Sequence, residues 1–172
     1  MTEDERRLLL NEFPDYADRI KEGKLYTSQY RKLEEIRFGM DYLERKYSGY
    51  KFRMNYIDGW PVTIDVCSIS EEISGRDFKM NIWENEDEEF EAEDNFYGYF
   101  VEEQYTEYLM EQFSKREESV VQVTVRMPAM KGGKYGSNIT IEDIISGKLD
   151  VGPKMDVYVA EKNLSKDECS KY

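Results

Sequence analysis

The sequence predicts an α+β fold, a two-layer sandwich in which helices cover one face of a largely antiparallel sheet of about five strands. Three observations carry that expectation. Between Tyr50 and Trp83, three successive runs alternate apolar and polar residues with the period of a half-buried strand: Phe52, Met54 and Tyr56; Val62, Ile64 and Val66; Phe78, Met80 and Ile82. The residues between them, among them Arg53, Thr63, Asp65, Lys79, Asn81 and Trp83, are mainly polar. A parallel sheet buried on both faces would read instead as continuous apolar runs. Segments with helical spacing flank and interrupt these runs, so the order is ααβββαβαβ. The crossover after the fourth strand leaves room for one parallel pair, and a mixed sheet is therefore also compatible.

The elements follow from local signals. Thr2 with Glu5 matches a capping box, and Arg7 to Ile20 is helical in composition apart from Pro14, which divides it into two short pieces. Residues 1–24 are set off as an N-terminal helical segment from a single α+β domain over 25–172. Thr27 or Ser28 can cap a longer helix in which Leu33, Ile36, Met40, Leu43 and Tyr47 recur at spacings of three and four, and Ser48-Gly49 ends it. Asp58-Gly59 suits a tight hairpin turn, with Pro61 at the start of the return strand. From Glu84 to Asp94 eight of eleven residues are acidic, which reads as a solvated loop. Asp94 or Asn95 then caps a helix to about Lys115 with an apolar line of Tyr97, Val101, Tyr105, Tyr108 and Phe113. Val121, Val123, Val125 and Met127 form the inward face of a fourth strand, and a Gly-rich loop runs from Pro128 to Asn138. Thr140 and Asp143 cap a short helix bearing Ile141, Ile144 and Ile145. Met155, Val157 and Val159 give the inward face of a fifth strand, and Ser165 with Glu168 suggests a last helical turn.

The composition narrows the function classes. Among 172 residues are 37 acids, 24 bases and no histidine, a net charge of −13 that repels nucleic acid and anionic membrane surfaces and favours a basic partner. The imbalance is uneven. Residues 1–114 hold 28 acids and 14 bases, or −14, whereas 115–172 hold 9 acids and 10 bases, or +1. Cys67 and Cys169 do not make a disulfide framework and read as free thiols. No apolar stretch is long enough for a membrane span, and Met1 to Leu10 is charged rather than signal-like. As written the chain is expected in the cytoplasm; a mature segment whose leader had been removed would be extracytoplasmic.

Catalytic chemistry has little support. Without histidine a nucleophile would need Lys, Asp or Glu as its base, and no Ser-Lys or Gly-x-Ser-x-Gly arrangement is present. Cys67, two residues from Asp65, reads as structural. Lys131-Gly132-Gly133-Lys134-Tyr135-Gly136 departs from the spacing of phosphate-binding loops and reads as a connection. The acidic run lacks the Asp-x-Asp-x-Asp-Gly pattern of a calcium loop. No catalytic residue, cofactor or metal site is therefore assigned. What remains is a charged patch of Glu84, Glu86, Asp87, Glu88, Glu89, Glu91, Glu93 and Asp94, complementary to a basic protein. Beside it stands a polar sheet face shared by Arg53, Thr63, Lys79, Trp83, Gln122, Arg126 and Tyr158, with Trp83 and Tyr158 as aromatic contacts.

The run Asp41 to Phe52, DYLERKYSGYKF, carries a helix directly into the first strand of a meander. In this it resembles small uncharacterised α+β proteins of Gram-positive bacteria, many of them exported or lipid-anchored. The resemblance implies the α+β fold and no particular activity. The function expected is that of a non-enzymatic acidic binding protein, such as an immunity-type inhibitor of a basic toxin or nuclease, an acidic DNA mimic being one variety. The alternatives are an extracytoplasmic accessory module of a surface or secretion assembly and a carboxylate- or metal-dependent hydrolase.

Overall fold

The computed structural model describes residues 1–58, 62–117, 119–131, 136–149 and 151–160, and the fold is α+β. The chain forms two units. Met1–Tyr97 with Ala129–Asn138 make the first, and Gly98–Pro128 with the chain from Ile139 onward make the second. Residues 1–24 fall within the first of these units.

In the first unit, Thr2 Oγ1 accepts from Glu5 N and Glu5 Oε2 accepts from Thr2 N, so the capping box opens α1 (Glu3–Glu12). Pro14 starts a 3-10 turn, and α2 (Ala17–Lys21) follows. α3 (Thr27–Lys46) begins one residue earlier than a Thr27 cap would allow. Tyr26 is the cap position, and its N–H donates to Gln29 Oε1 at 2.9 Å. Leu33, Ile36, Leu43 and Tyr47 are buried, as their spacing predicts, and Met40 is half-buried.

The sheet is antiparallel throughout. It runs β1 (Phe52–Asp58), β2 (Val62–Ser68), β3 (Asp77–Glu84) and β4 (Phe90–Asp94), extended at its edge by the two residues of β6 (Met130–Lys131). Phe52, Met54, Val62, Ile64, Val66, Phe78, Met80 and Ile82 face the helices and are all buried. Tyr56 is a correction. A bulge between Met54 and Tyr56 shifts the register by one residue, so Ile57 goes inward and Tyr56 lies 47% exposed. Cys67, expected on the polar face, is buried as a free thiol. The 84–94 run is also corrected from loop to strand: Glu84 ends β3 and residues 90–94 form β4.

The second unit holds α4 (Glu102–Ser114), β5 (Val120–Arg126), α5 (Ile141–Ile145) and β7 (Lys154–Val159). The expected helix over 95–115 is divided, with a 3-10 turn at Phe96–Phe100 before α4. β5 and β7 form a separate antiparallel two-stranded sheet, so they do not extend the first one, and no parallel pair joins the described strands. Val123, Val125 and Met127 are buried, but a bulge between Val120 and Gln122 turns Val120 inward and leaves Val121 58% exposed. Met155, Val157 and Val159 share one face of β7, yet all three are exposed rather than in a core. Thr140 and Asp143 form the expected capping box for α5. The Asp58-Gly59 turn with Pro61, most of the loop at 131–136, the last helical turn at Ser165 and Glu168, and Cys169 lie outside the described residues.

α3 approaches the sheet closely at Gly39. A Cβ there would lie 2.6 Å from Met80 Cε, 2.9 Å from Ile82 Cδ1 and 3.0 Å from Met54 Cε. Gly39→Val is expected to destabilise the protein by about 3 kcal/mol, since overpacking outweighs any gain in helix propensity. Urea unfolding of the two proteins measures it, and an unchanged midpoint would contradict this packing.

Candidate partner-binding surface

The acidic run sorts into three environments, because a strand alternates its side chains. On the helix-facing side, Glu84 pairs with Arg31 of α3, Phe90 lies under the same guanidinium at 4.4 Å, and Ala92 and Asp94 are buried. On the opposite side Trp83 stands directly across from Glu91, and Asn81 across from Glu93. Asn81 Nδ2 donates to Glu93 Oε1 at 2.9 Å and accepts through Oδ1 from Thr63 Oγ1 at 3.1 Å, linking three strands. The remaining acids, Glu86, Asp87, Glu88 and Glu89, are all exposed in the turn joining β3 to β4.

Asn85 holds that turn. Its Oδ1 accepts from Asp87 N and Glu89 N at 3.0 Å each, its N–H donates to Glu89 O at 2.9 Å, and its carbonyl accepts from Glu88 N at 3.1 Å. The turn places Glu88 at φ 60°, the left-handed region that favours glycine. Four consecutive carboxylates are thereby fixed on a defined backbone with no counter-ion among the described residues. The neighbouring sheet face adds Asp58, Asp65, Asp77, Glu91 and Glu93 against Arg53 and Lys79. Tip and face together thus carry nine acids and two bases.

Asp94 corrects the surface reading of the run. Its side chain is fully buried, and its two carboxylate oxygens accept four hydrogen bonds. Tyr42 Oη and Lys46 Nζ reach Oδ2 at 2.7 and 2.6 Å; Tyr47 Oη and Phe96 N reach Oδ1 at 2.6 and 2.9 Å. The bond to Phe96 is a local turn contact over two residues; the helix for which Asp94 or Asn95 is expected as the cap begins instead at Glu102, with Val101 at its cap position and no side-chain cap. Burial, reinforced by the Asp94 charge, pushes the phenols of Tyr42 and Tyr47 far above their usual range. Burial also pulls the Lys46 ammonium below its usual value, a fall that the Asp94 carboxylate limits. Every acceptor of this cluster is occupied and its side chains are shielded, so it acts as a structural bond between α3, β4 and the aromatic group of Tyr47, Phe52, Phe78 and Phe96.

The polar face expected over both halves of the chain is two faces. Arg53, Thr63, Lys79 and Trp83 share the first sheet, whereas Gln122, Arg126 and Tyr158 belong to the second, where Gln122 stands opposite Tyr158. Among the described residues no group of three or more acids or cysteines is placed to hold a metal ion, and no helix is long and apolar enough to cross a membrane. Phe90 and Ala92, which alternate with Glu91 and Glu93, were the available sign of β4 within the acidic run. Phe96, fully buried, gave no sign beyond being the first apolar residue after it. Comparison of the chain with protein families, with curated proteins and with solved structures finds no match.

Three measurements check these contacts. Glu88→Gly is expected to stabilise the protein by about 0.5–1 kcal/mol, relieving the left-handed residue and one repelling charge, and a loss of stability would contradict the turn. Asp94→Ala strands a buried ammonium and two phenols and is expected to cost about 3–5 kcal/mol. At alkaline pH the same network sets a slope. Above roughly pH 10.4 the unfolded tyrosines and lysine are deprotonated while the folded phenols keep their protons. Stability then falls as pH rises, by about 1.4 kcal/mol per unit for each phenol, and Tyr42→Phe should remove one proton from that slope in urea titrations.

Proposed function

We infer that the protein is a non-enzymatic binder of a basic protein, of the kind that neutralises its partner as immunity-type inhibitors do. The observation that carries this reading is the β3–β4 hairpin, whose four exposed acids are held on an ordered turn with Trp83 and Glu91 paired at its base. Order in the tip reduces what a partner must immobilise on binding, and the charge raises the rate of encounter with a basic surface. An aromatic at the edge of such a patch is the residue type that most often anchors an interface. Glu84 and Asp94 serve the fold, so the contact set reduces to Glu86, Asp87, Glu88, Glu89, Glu91, Glu93 and Trp83. Tyr158 lies in the other sheet and would serve a separate contact.

The test is capture of partners from a lysate of the source organism on immobilised protein, at low and high salt, with identification by mass spectrometry. The expected result is a stoichiometric basic protein released by salt. The combined variant Glu86→Gln, Asp87→Asn, Glu88→Gln and Glu89→Gln, which leaves the Asn85 turn intact, should lose at least tenfold in affinity, and Trp83→Ala should lose about 1–2 kcal/mol through faster dissociation. Binding that survives the fourfold change and is indifferent to salt would overturn the reading.

A further inference from the structure

The outward face of the first sheet carries two cross-strand pairs of an aromatic ring and a carboxylate. Trp83 of β3 stands opposite Glu91 of β4. Tyr56 of β1, turned outward by the bulge, stands opposite Asp65 of β2, with Asp58 two residues along on the same face. The Tyr56 ring is exposed and has no ring or hydrogen-bond partner among the described residues. A third pair of the same kind lies on the helix-facing side of the β3–β4 hairpin, and it is filled. Glu84 stands opposite Phe90, and Arg31 of α3 lays its guanidinium over the Phe90 ring at 4.4 Å while pairing with the Glu84 carboxylate. One planar cation thus meets a ring and a carboxylate set across two strands. A lysine beside such a pair behaves differently. Lys79, directly across from Asp65, brings its ammonium only to 3.8 Å of the carboxylate, beyond hydrogen-bond distance, and its side chain stays 69% exposed. The difference is chemical: a guanidinium donates from its edge while its weakly hydrated face stacks, whereas an ammonium is a compact, strongly hydrated charge.

We propose that the partner meets this face through arginine side chains, one stacked on Tyr56 beside Asp65 and one stacked on Trp83 beside Glu91. The inference rests on the reading of the protein as a binder of a basic protein, and it names the residue type by which that protein is recognised. Charge complementarity favours it, since the face holds Asp58, Asp65, Asp77, Glu91 and Glu93 against Arg53 and Lys79. The spacing is set by the sheet. Along β3, Trp83 lies four residues beyond Lys79, which shares a row with Asp65, and the two pairs are two strand spacings apart, so they stand about 16 Å from one another. Two arginines about five residues apart in an extended segment span that distance. Glu86, Asp87, Glu88 and Glu89 have no ring across from them in the turn, and they add charge without this preference for arginine.

The test is calorimetric titration of the full chain, at low ionic strength, with two glycine- and serine-based peptides of equal length and charge. Their basic residues recur every five positions, all arginine in one peptide and all lysine in the other. The arginine peptide is expected to bind tighter by about fivefold or more. Tyr56→Leu should bring that ratio down to about twofold while changing the affinity for the lysine peptide little, and Tyr56→Phe, which keeps the ring, should preserve the ratio. Neutralising Glu86, Asp87, Glu88 and Glu89 together should weaken both peptides by the same factor and leave the ratio unchanged. Equal affinities for the two peptides, binding of neither, or a ratio indifferent to Tyr56→Leu would each overturn the assignment to arginine. Failure of the underlying reading has a different signature, the absence of a salt-released basic protein from the lysate capture.

Discussion

The carboxylate of Asp94 is the constraint on which the first unit depends. A buried charge is tolerated only when paired and fully hydrogen-bonded, and here one ammonium, two phenols and a backbone N–H meet that demand. Three of the four donors come from a single turn at the end of α3, through Tyr42, Lys46 and Tyr47. The fourth comes from Phe96, whose ring packs 4.8 Å from Tyr47 and 4.8 Å from Phe78. The network therefore fixes the end of the helix, the last residue of β4 and the entry of the chain into the aromatic core in one arrangement. Setting β4 in register with β3 is what orients the acidic turn between them. The exposed acidic turn thus rests on a residue of the same run that is itself fully buried.

The acidic run also separates what the sequence could and could not convey. The strands of the meander were legible because Phe78, Met80 and Ile82 alternate with polar residues against a bulky apolar face. β4 was not, because its inward residues are Phe90, Ala92 and Asp94, only one of them large and one of them charged. A period-two pattern written with a carboxylate in a core position looks like solvated acid until its partners are known. Those partners lie 47 to 52 residues earlier, on a helix whose Lys46 and Tyr42 read as ordinary surface positions. Local capping was easier. Thr2 with Glu5 and Thr140 with Asp143 act over three residues, so the signal and the bond lie in the same window. The separate β5–β7 sheet was not legible at all, since alternation within a strand says nothing about which sheet it joins.

The errors at Tyr56 and Val121 have one cause. Reading Tyr56 and Val121 as inward assumes an unbroken period of two, and a bulge in each strand inserts one unpaired step. The bulge in β1 coincides with a contact from outside the sheet. Arg7 of α1 donates through Nη2 to Met54 O at 2.5 Å and through Nη1 to Asn55 O at 3.1 Å, covering backbone carbonyls at the exposed edge. That edge is guarded by a cation and a bulge, the devices that keep an edge strand from recruiting another chain. β6 covers part of the opposite margin of the same sheet.

The two sheets differ in how regular their strands are. The first sheet carries most of its unit's apolar side chains inward and presents a wet, acidic face. The second sheet has its bulge on β5, leaving the ladder of β7 regular over Lys154–Val159 with three apolar residues in line on an uncharged side. The difference between the two sheets follows from where each strand keeps or breaks its period of two, and from where the acids fall along the chain.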